Sequence, residues 1–473
     1  MSEKYNVNEI AEKEGGLNKQ LTTGQIGMIA LGGAIGTGLF LGSGFAIGLA
    51  GPGVILSYVF GGIIALVMMG CLSEMTVSNP TTGSFGVYAG AYIHPYFGFT
   101  IRYSYWMGVV VAIGTEVTAT AIYMARWFPE VPSLVWILLF AGILFYVNCT
   151  SVGNFGKFEF VFASIKVVTI VAFIIIGCIV IFGARTPGIT FDNYTNDGGF
   201  LPNGMGGVLM GGFVAIFSYL SLEMIAVTAG EAKDPEKAVP RALKTAVARL
   251  FIFYILAIGI MLVIVPWAQA GAANMEQSPF VIAFSMVNIP YAADIMNFVV
   301  LTAALSAMNS MFYITSRMFF SLSRGGYAPK VFGKLTKKGV PMNALIISSV
   351  GIFIAAIINQ IVAGGGNQFI SMMGISMFGP IYTWTLIMVT HLFFRKKWEA
   401  SGGRKLPVRV PLYPITTWIG IILIMVIVVY SCATAFTTTA YTGLVWMVFI
   451  TVIYFVWFRK KDKDEEKEVE AEK

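Results

Sequence analysis

Three ionisable residues, Glu116, Lys166 and Glu223, stand deep inside stretches of sequence that are otherwise apolar. An ionised side chain at the centre of a bilayer costs at least about 2.5–3.5 kcal/mol, so such a group faces a protein interior, pairs, or stays neutral. Glu223, in Phe217-Ser218-Tyr219-Leu220-Ser221-Leu222-Glu223, reads in two ways. It is a proton-titrating group beside a site, or a buried acid bonded to backbone that fixes a helix break. Lys166, in Ala163-Ser164-Ile165-Lys166-Val167-Val168, either takes up and releases a proton or acts as a fixed cation on carbonyls freed by a broken helix. Glu116, in Ile113-Gly114-Thr115-Glu116-Val117-Thr118, either pairs with Lys166 or lines a cavity. Arg317 and Glu74 lie nearer the ends of their runs. Arg317 reads as a structural group able to extend to the interface, and Glu74 as a gate or loop contact.

A different chemistry is written into Gly32-Gly33-Ala34-Ile35-Gly36-Thr37-Gly38-Leu39-Phe40. Four glycines within seven residues disfavour a helix, since each costs about 0.5–1 kcal/mol relative to alanine. In hydrocarbon, a broken helix survives only where its freed N–H and C=O groups face protein, ligand or a water-filled cavity. Half-helix N-termini at such breaks suit anionic groups. Close helix packing accounts for Gly32 and Gly36, one turn apart, but less readily for Gly33, Thr37 and Gly38. A phosphate-cradling loop is excluded, because no strand precedes the glycines and no Lys-Ser/Thr closes them.

Other chemistries lack their residues. Cys71, Cys149, Cys178 and Cys432 are scattered through apolar runs and read as packing residues, neither disulfide nor metal framework. His94 and His391 are far apart, and no metal or haem spacing exists. No cofactor is expected. A membrane-embedded enzyme would need a nucleophile–base pair or metal ligands within the runs, and none appears.

These groups must be positioned by membrane spans. The 473 residues are 57% hydrophobic and 12% charged, far below the roughly 25% charged content of soluble domains. Twelve spans are predicted, at 24–50, 54–78, 98–127, 133–149, 158–182, 207–230, 247–266, 291–323, 343–362, 369–394, 411–433 and 438–458. An even number places both termini on one side. Lys and Arg crowd into 233–249, 324–338, 395–409 and 459–461, whereas the opposite loops offer little beyond Arg126 and Arg185. The positive-inside rule then puts both termini in the cytoplasm and explains the net charge of +7 without nucleic acid. The N-terminus is polar through Gln20, so the first span itself is expected to direct insertion. Residues 81–96 and 231–250 read as amphipathic segments on the inner face, 183–206 and 267–290 as short caps, and 460–473 as a solvated charge run. Spans 1–5 and 6–10 would run in opposite senses, an inverted repeat in which span 6 should carry its own break. The polar run ending at Glu223 fits that place.

The chain resembles the amino acid–polyamine–organocation superfamily, in its bacterial amino acid permease branch. The resemblance is carried by Leu31-Gly32-Gly33-Ala34-Ile35-Gly36-Thr37-Gly38-Leu39-Phe40 with Ala50-Gly51-Pro52-Gly53. It continues in Glu223 with Ala229-Gly230-Glu231-Ala232-Lys233-Asp234-Pro235, and in Ala304-Leu305-Ser306-Ala307-Met308-Asn309-Ser310 running to Ser316-Arg317-Met318. Lys166 matches a lysine that stands at a sodium-ion position of sodium-coupled relatives. The resemblance implies an all-α, leucine-transporter-like fold of twelve transmembrane helices, a 5+5 inverted repeat with discontinuous helices 1 and 6. Its parts would be a tail at 1–20, repeats at 21–182 and 207–395, helices 11 and 12 at 411–458, and a charged tail at 459–473. It implies a substrate site of Ala34, Ile35, Gly36, Thr37, Gly38, Phe217, Ser218, Leu220 and Ser221. There the amides of Thr37 and Gly38 and the Thr37 hydroxyl hold a carboxylate. Carbonyls near Ala34, Phe217 and Leu220 hold an ammonium, and Phe217 is the lid. Lys166, Glu223 and Glu116 are the implied proton-coupling groups. The expectation is a monomeric cytoplasmic-membrane transporter importing a neutral L-amino acid with protons by alternating access. An exchanger or sodium-coupled symporter is the alternative. Ser221 departs from the family, which commonly has glycine there; a bulkier hydroxylated residue should narrow or polarise the side-chain pocket.

Overall fold

The computed structural model describes residues 12, 14–17, 21–184, 188–234, 237–242, 252–271, 278–286, 291–361, 365–400, 406 and 408–459. The expected tail at 460–473, and most of the expected amphipathic segment beyond 242, lie outside them. Among the described residues, eight helices are long and apolar enough to cross a membrane, and shorter apolar helices occupy Gly204–Ser218, Ile252–Ile264 and Met342–Ile354. Together they supply the spans read from sequence, whose numbers we keep.

Span 1 is in pieces: half 1a is Thr23–Ala34, and half 1b is Thr37–Phe40 continued by Gly42–Ala50. The intervening Gly36 is extended (φ −122°, ψ −155°), which ends the helical ladder at that residue. Span 2 is Val54–Ser78, joined to 1b through a tight turn at Gly51–Gly53. Span 3 is Pro95–Ala125, started by Pro95 in its first turn and by the His94 ring, which accepts the Tyr96 N–H. Span 4 is Ser133–Thr150. Span 5 is Val152–Ile179, capped by the Ser151 hydroxyl, which accepts the Asn154 N–H at 3.1 Å. Its start at 152 rather than 158 follows from that cap. Span 6 breaks after Gly204–Ser218 (6a) and resumes at Met224–Thr228 (6b). Span 8 is Ala292–Arg324 and span 10 is Gly365–Ala400. Span 11 begins at Ile415 rather than 411, behind Pro411 and Pro414, and span 12 starts at Thr437.

Spans 3 and 8 are buried along nearly their whole length, whereas spans 4, 5, 11 and 12 turn Leu139, Val168, Ile422 and Val445 outward. That pattern fits inner spans surrounded by a lipid-facing ring. Span 3 packs along spans 8 and 10, half 6a packs on 1b and span 2, and 1a lies against span 5. Leu17, Phe99, Tyr327 and Phe458 share one apolar cluster, so the N-terminal segment and the end of span 12 lie on the same face of the bundle. We call it the N-terminal face.

The segment at 81–96 forms a helix, Ser84–Tyr92, but it is buried instead of lying on the surface. At the opposite face, the connection after span 7 grips half 1b. Ser278 Oγ donates to the Phe40 carbonyl at 2.5 Å, and a methyl group at Gly48 would stand 2.8 Å from the Gly271 carbonyl oxygen.

Candidate functional site

The two breaks meet inside the bundle. A methyl group at Gly38 would stand 2.6 Å from Ser218 Cα, and one at Gly33 would stand 3.0 Å from Ser221 Cβ. Gly36 faces Ala307 of span 8 and Glu116 of span 3, while Gly32 faces Glu159 and Ala163 of span 5. Gly33 and Gly38 therefore mark where the two interrupted spans touch, while Gly32 and Gly36 let the broken span approach spans 5, 8 and 3.

Half 1b starts at Thr37 with no side-chain cap from Gly36. Thr37 Oγ1 donates to Glu116 Oε1 at 2.8 Å, and the buried Glu116 Oε2 has no hydrogen-bond partner among the described residues. Glu116 thus faces the N-terminal end of 1b, next to the backbone expected to hold a carboxylate. It forms no hydrogen bond with Lys166, whose Nζ donates instead to the Gly32 carbonyl of 1a. Ile35 and Gly36 are buried at the break. Ala34 closes 1a as its last helical residue.

On span 6 the break is held from several sides. Leu220 N–H bonds the Phe217 carbonyl at 3.2 Å, and Tyr254 Oη–H bonds the Ser218 carbonyl at 2.6 Å. The Phe217 carbonyl, expected to be open, is therefore already an acceptor within the turn. Ser221 has φ +75°, the left-handed region that glycine enters without a Cβ clash. Its N–H is held by Glu223 Oε1 at 3.2 Å, and Glu223 also accepts from Tyr105 Oη at 2.6 Å and Trp384 Nε1 at 3.1 Å. Glu223 ties the break of span 6 to spans 3 and 10. Phe217 is buried with its ring edge-on to Phe369 of span 10, centroids 6.2 Å apart.

Glu159 was not among the residues singled out from sequence. It is fully buried on span 5 and accepts from Ser306 Oγ and from Asn309 Nδ2, the latter at 3.1 Å, both on span 8. Asn148 Nδ2 on span 4 donates to Asn309 Oδ1 at 2.8 Å and extends the network. The signal was available: Glu159 stands two helical turns before Lys166 and shares its face. A span drawn from 158 instead makes 159 a terminal, interfacial position.

Two further groups are structural. Arg317 does not extend to the interface; it is buried, pairs with Glu231 at 2.8 Å, and lies 3.9 Å from the Tyr313 ring centroid. Glu74 accepts from His391 Nε2 at 2.8 Å and from the Val410 N–H, and forms an ion pair with Arg395, whose Nε lies 2.9 Å away. It clamps spans 2 and 10 to the loop before span 11, which is the loop contact expected. All four cysteines are free.

The model of the family described as "Amino acid permease" matches residues 25–467. The chain is 40% identical to a gamma-aminobutyric acid permease of Bacillus subtilis (strain 168), across 88% of each protein. It is 36% identical to the aromatic amino acid transport protein AroP of Escherichia coli (strain K12), across 94% of this chain and 96% of AroP. It is 38% identical to the uncharacterized amino acid permease YtnA of Bacillus subtilis (strain 168), again across 94% and 96%.

Proposed function

The chain belongs to the amino acid permease family, and from that membership we propose that it imports a neutral L-amino acid together with protons. The family gives an all-α, twelve-span, multi-pass membrane protein with two inverted five-span repeats and discontinuous helices 1 and 6, moving amino acids across the membrane. The cell membrane is the expected location, with both termini cytoplasmic.

One observation carries the coupling proposal. Lys166 donates to the Gly32 carbonyl, on the last turns of half 1a before the break. This ammonium bridges span 5 to the broken span. Losing its proton would strip the charge from this hydrogen bond and weaken the tie, leaving 1a freer to move. A resident ammonium there also occupies space a sodium ion would need. Glu116 supports the same reading. The Thr37 hydroxyl has a single hydrogen, and it now points to Glu116. A substrate carboxylate arriving at Thr37 and Gly38 competes for that hydrogen, and a proton on Glu116 releases it.

In this mechanism spans 1, 2, 6 and 7 rock against spans 3, 4, 8 and 9. The substrate carboxylate meets the start of half 1b, its ammonium meets carbonyls at the breaks, and Phe217 closes over it. The relatives' names span gamma-aminobutyric and aromatic amino acids, so the shared backbone site does not select the side chain. Ser221 beside Gly33 narrows the pocket and favours small or medium neutral side chains.

The test is uptake into proteoliposomes with a panel of amino acids, driven by a pH gradient, a sodium gradient, or internal amino acid alone. Accumulation with the pH gradient only is expected. Uptake driven by sodium alone, or only against preloaded amino acid, overturns the coupling.

A further inference from the structure

Glu14 precedes span 1, in a stretch the sequence presents as a polar tail, yet its side chain is buried. One carboxylate oxygen accepts the backbone N–H groups of Thr82 and Gly83, each at 3.0 Å, and Ser321 Oγ donates to the other. Ser321 Oγ in turn accepts from Arg102 Nη1 at 3.2 Å, and Arg102 Nε holds the Gly98 carbonyl at 2.8 Å. A carboxyl group that takes three donors out of water must be matched by position, since each donor left unmet would be costly. Two glycines make room for it. A methyl group at Gly83 would collide with Ser321 Oγ and stand 2.6 Å from Glu14 Oε1, and one at Gly86 would collide with the Arg102 side chain.

The rest of the described segment is fastened too. Leu17 packs in the cluster of Phe99, Phe319 and Tyr327. Leu21 is fully buried; its N–H donates to the Glu231 carbonyl and its carbonyl accepts the Lys233 N–H, both at 3.1 Å. Glu231 is the partner of Arg317 on span 8. Glu14 and Leu21 therefore tie the start of half 1a to the exit of span 2, to the exit of span 6, and to spans 3 and 8. Which of these parts move rests on the alternating-access reading above; the fastening itself rests on the contacts.

We propose that residues 14–17 with Leu21 form a strap across the N-terminal face, with Glu14 as its buckle. Half 1a swings away from span 5 only after this carboxylate leaves Thr82, Gly83 and Ser321.

The strap is tested on the full-length protein in lipid nanodiscs by hydrogen–deuterium exchange, which needs no substrate and therefore does not depend on the transport reading. In Glu14→Ala, amides in 23–34 and 84–92 are expected to exchange about tenfold faster than in the parent, with 415–434 unchanged. Gly83→Ala, which keeps Glu14 but fills its seat, reproduces the effect. Glu12→Ala, altering an exposed neighbour, does not. Unchanged exchange at 23–34 in Glu14→Ala overturns the strap, and so does an equal rise at 415–434, which marks general loosening. If Glu14→Ala fails to fold, Ser321→Ala, which removes one donor, decides by the same two criteria.

Discussion

Lys166 and Glu159, seven residues apart on span 5, meet the same residue of span 1 from two sides. The Lys166 ammonium holds the Gly32 carbonyl, and Glu159 Oε1 stands where a side chain at position 32 would be. Glu159 is itself anchored to Ser306 and Asn309, so span 8 indirectly sets where half 1a rests against span 5.

Lys166→Ala should keep substrate binding and lose accumulation. Loss of a charge-assisted hydrogen bond costs about 1.5–3 kcal/mol, so pH-driven uptake in proteoliposomes is expected to fall at least about tenfold. Binding measured by calorimetry is expected to stay within about threefold, because Lys166 touches the backbone of 1a and not the expected carboxylate seat. Unchanged pH-driven uptake would remove Lys166 from the mechanism.

Glu223 separates a positioning role from a titrating one. Glu223→Ala strips Ser221 N–H, Tyr105 and Trp384 of their shared acceptor, and a loss of about 3 kcal/mol or more in stability is expected. Glu223→Gln keeps an oxygen for the Ser221 N–H and should leave the pH profile of uptake in place. A flattened profile in Glu223→Gln would mean that the proton on this carboxyl is part of the cycle.

Ser221 and Gly33 should behave as a coupled pair. Ser221→Gly relieves a left-handed residue and is expected to raise stability by about 1 kcal/mol. Gly33→Ala drives a methyl group toward Ser221 Cβ and should cost about 1–3 kcal/mol. The double variant is expected to recover part of that loss. Additive effects in a thermal-shift cycle would show that the two breaks do not press on one another.

Glu231→Ala leaves Arg317 buried and unpaired beside Tyr313. Breaking such a pair costs about 3–5 kcal/mol, and the melting temperature should drop accordingly. Removing both partners should cost less than removing Glu231 alone, and a larger loss in the double variant would contradict the pairing.

Much of this arrangement was legible beforehand because membranes punish irregularity. The break at Gly36 and the polar run before Glu223 could be read from residue types, since neither survives in hydrocarbon without a partner. Spans 2 and 4 fall within a residue of their drawn ends for the same reason. What sequence hid was pairing across the bundle. Nothing local says that Thr37 bonds Glu116, that Lys166 chooses a carbonyl over a carboxylate, or that Arg317 turns inward to Glu231. Glu14 was the least visible, because a glutamate in a polar, lysine-flanked tail looks solvated until Gly83 and Gly86 are seen to make space for it and for Arg102.

The grip of the span 7–8 connection on half 1b has a consequence at the opposite face. Ser278 holds Phe40, and Gly271 lies against Gly48, so any tilt of 1b must carry that connection with it. A binder that never enters the substrate site, such as a nanobody seated on the exposed Ala268, Gln269 and Ser285 of that connection, would act as a brake on the whole cycle. Selection for such binders offers a route to inhibitors whose potency is independent of which amino acid is carried.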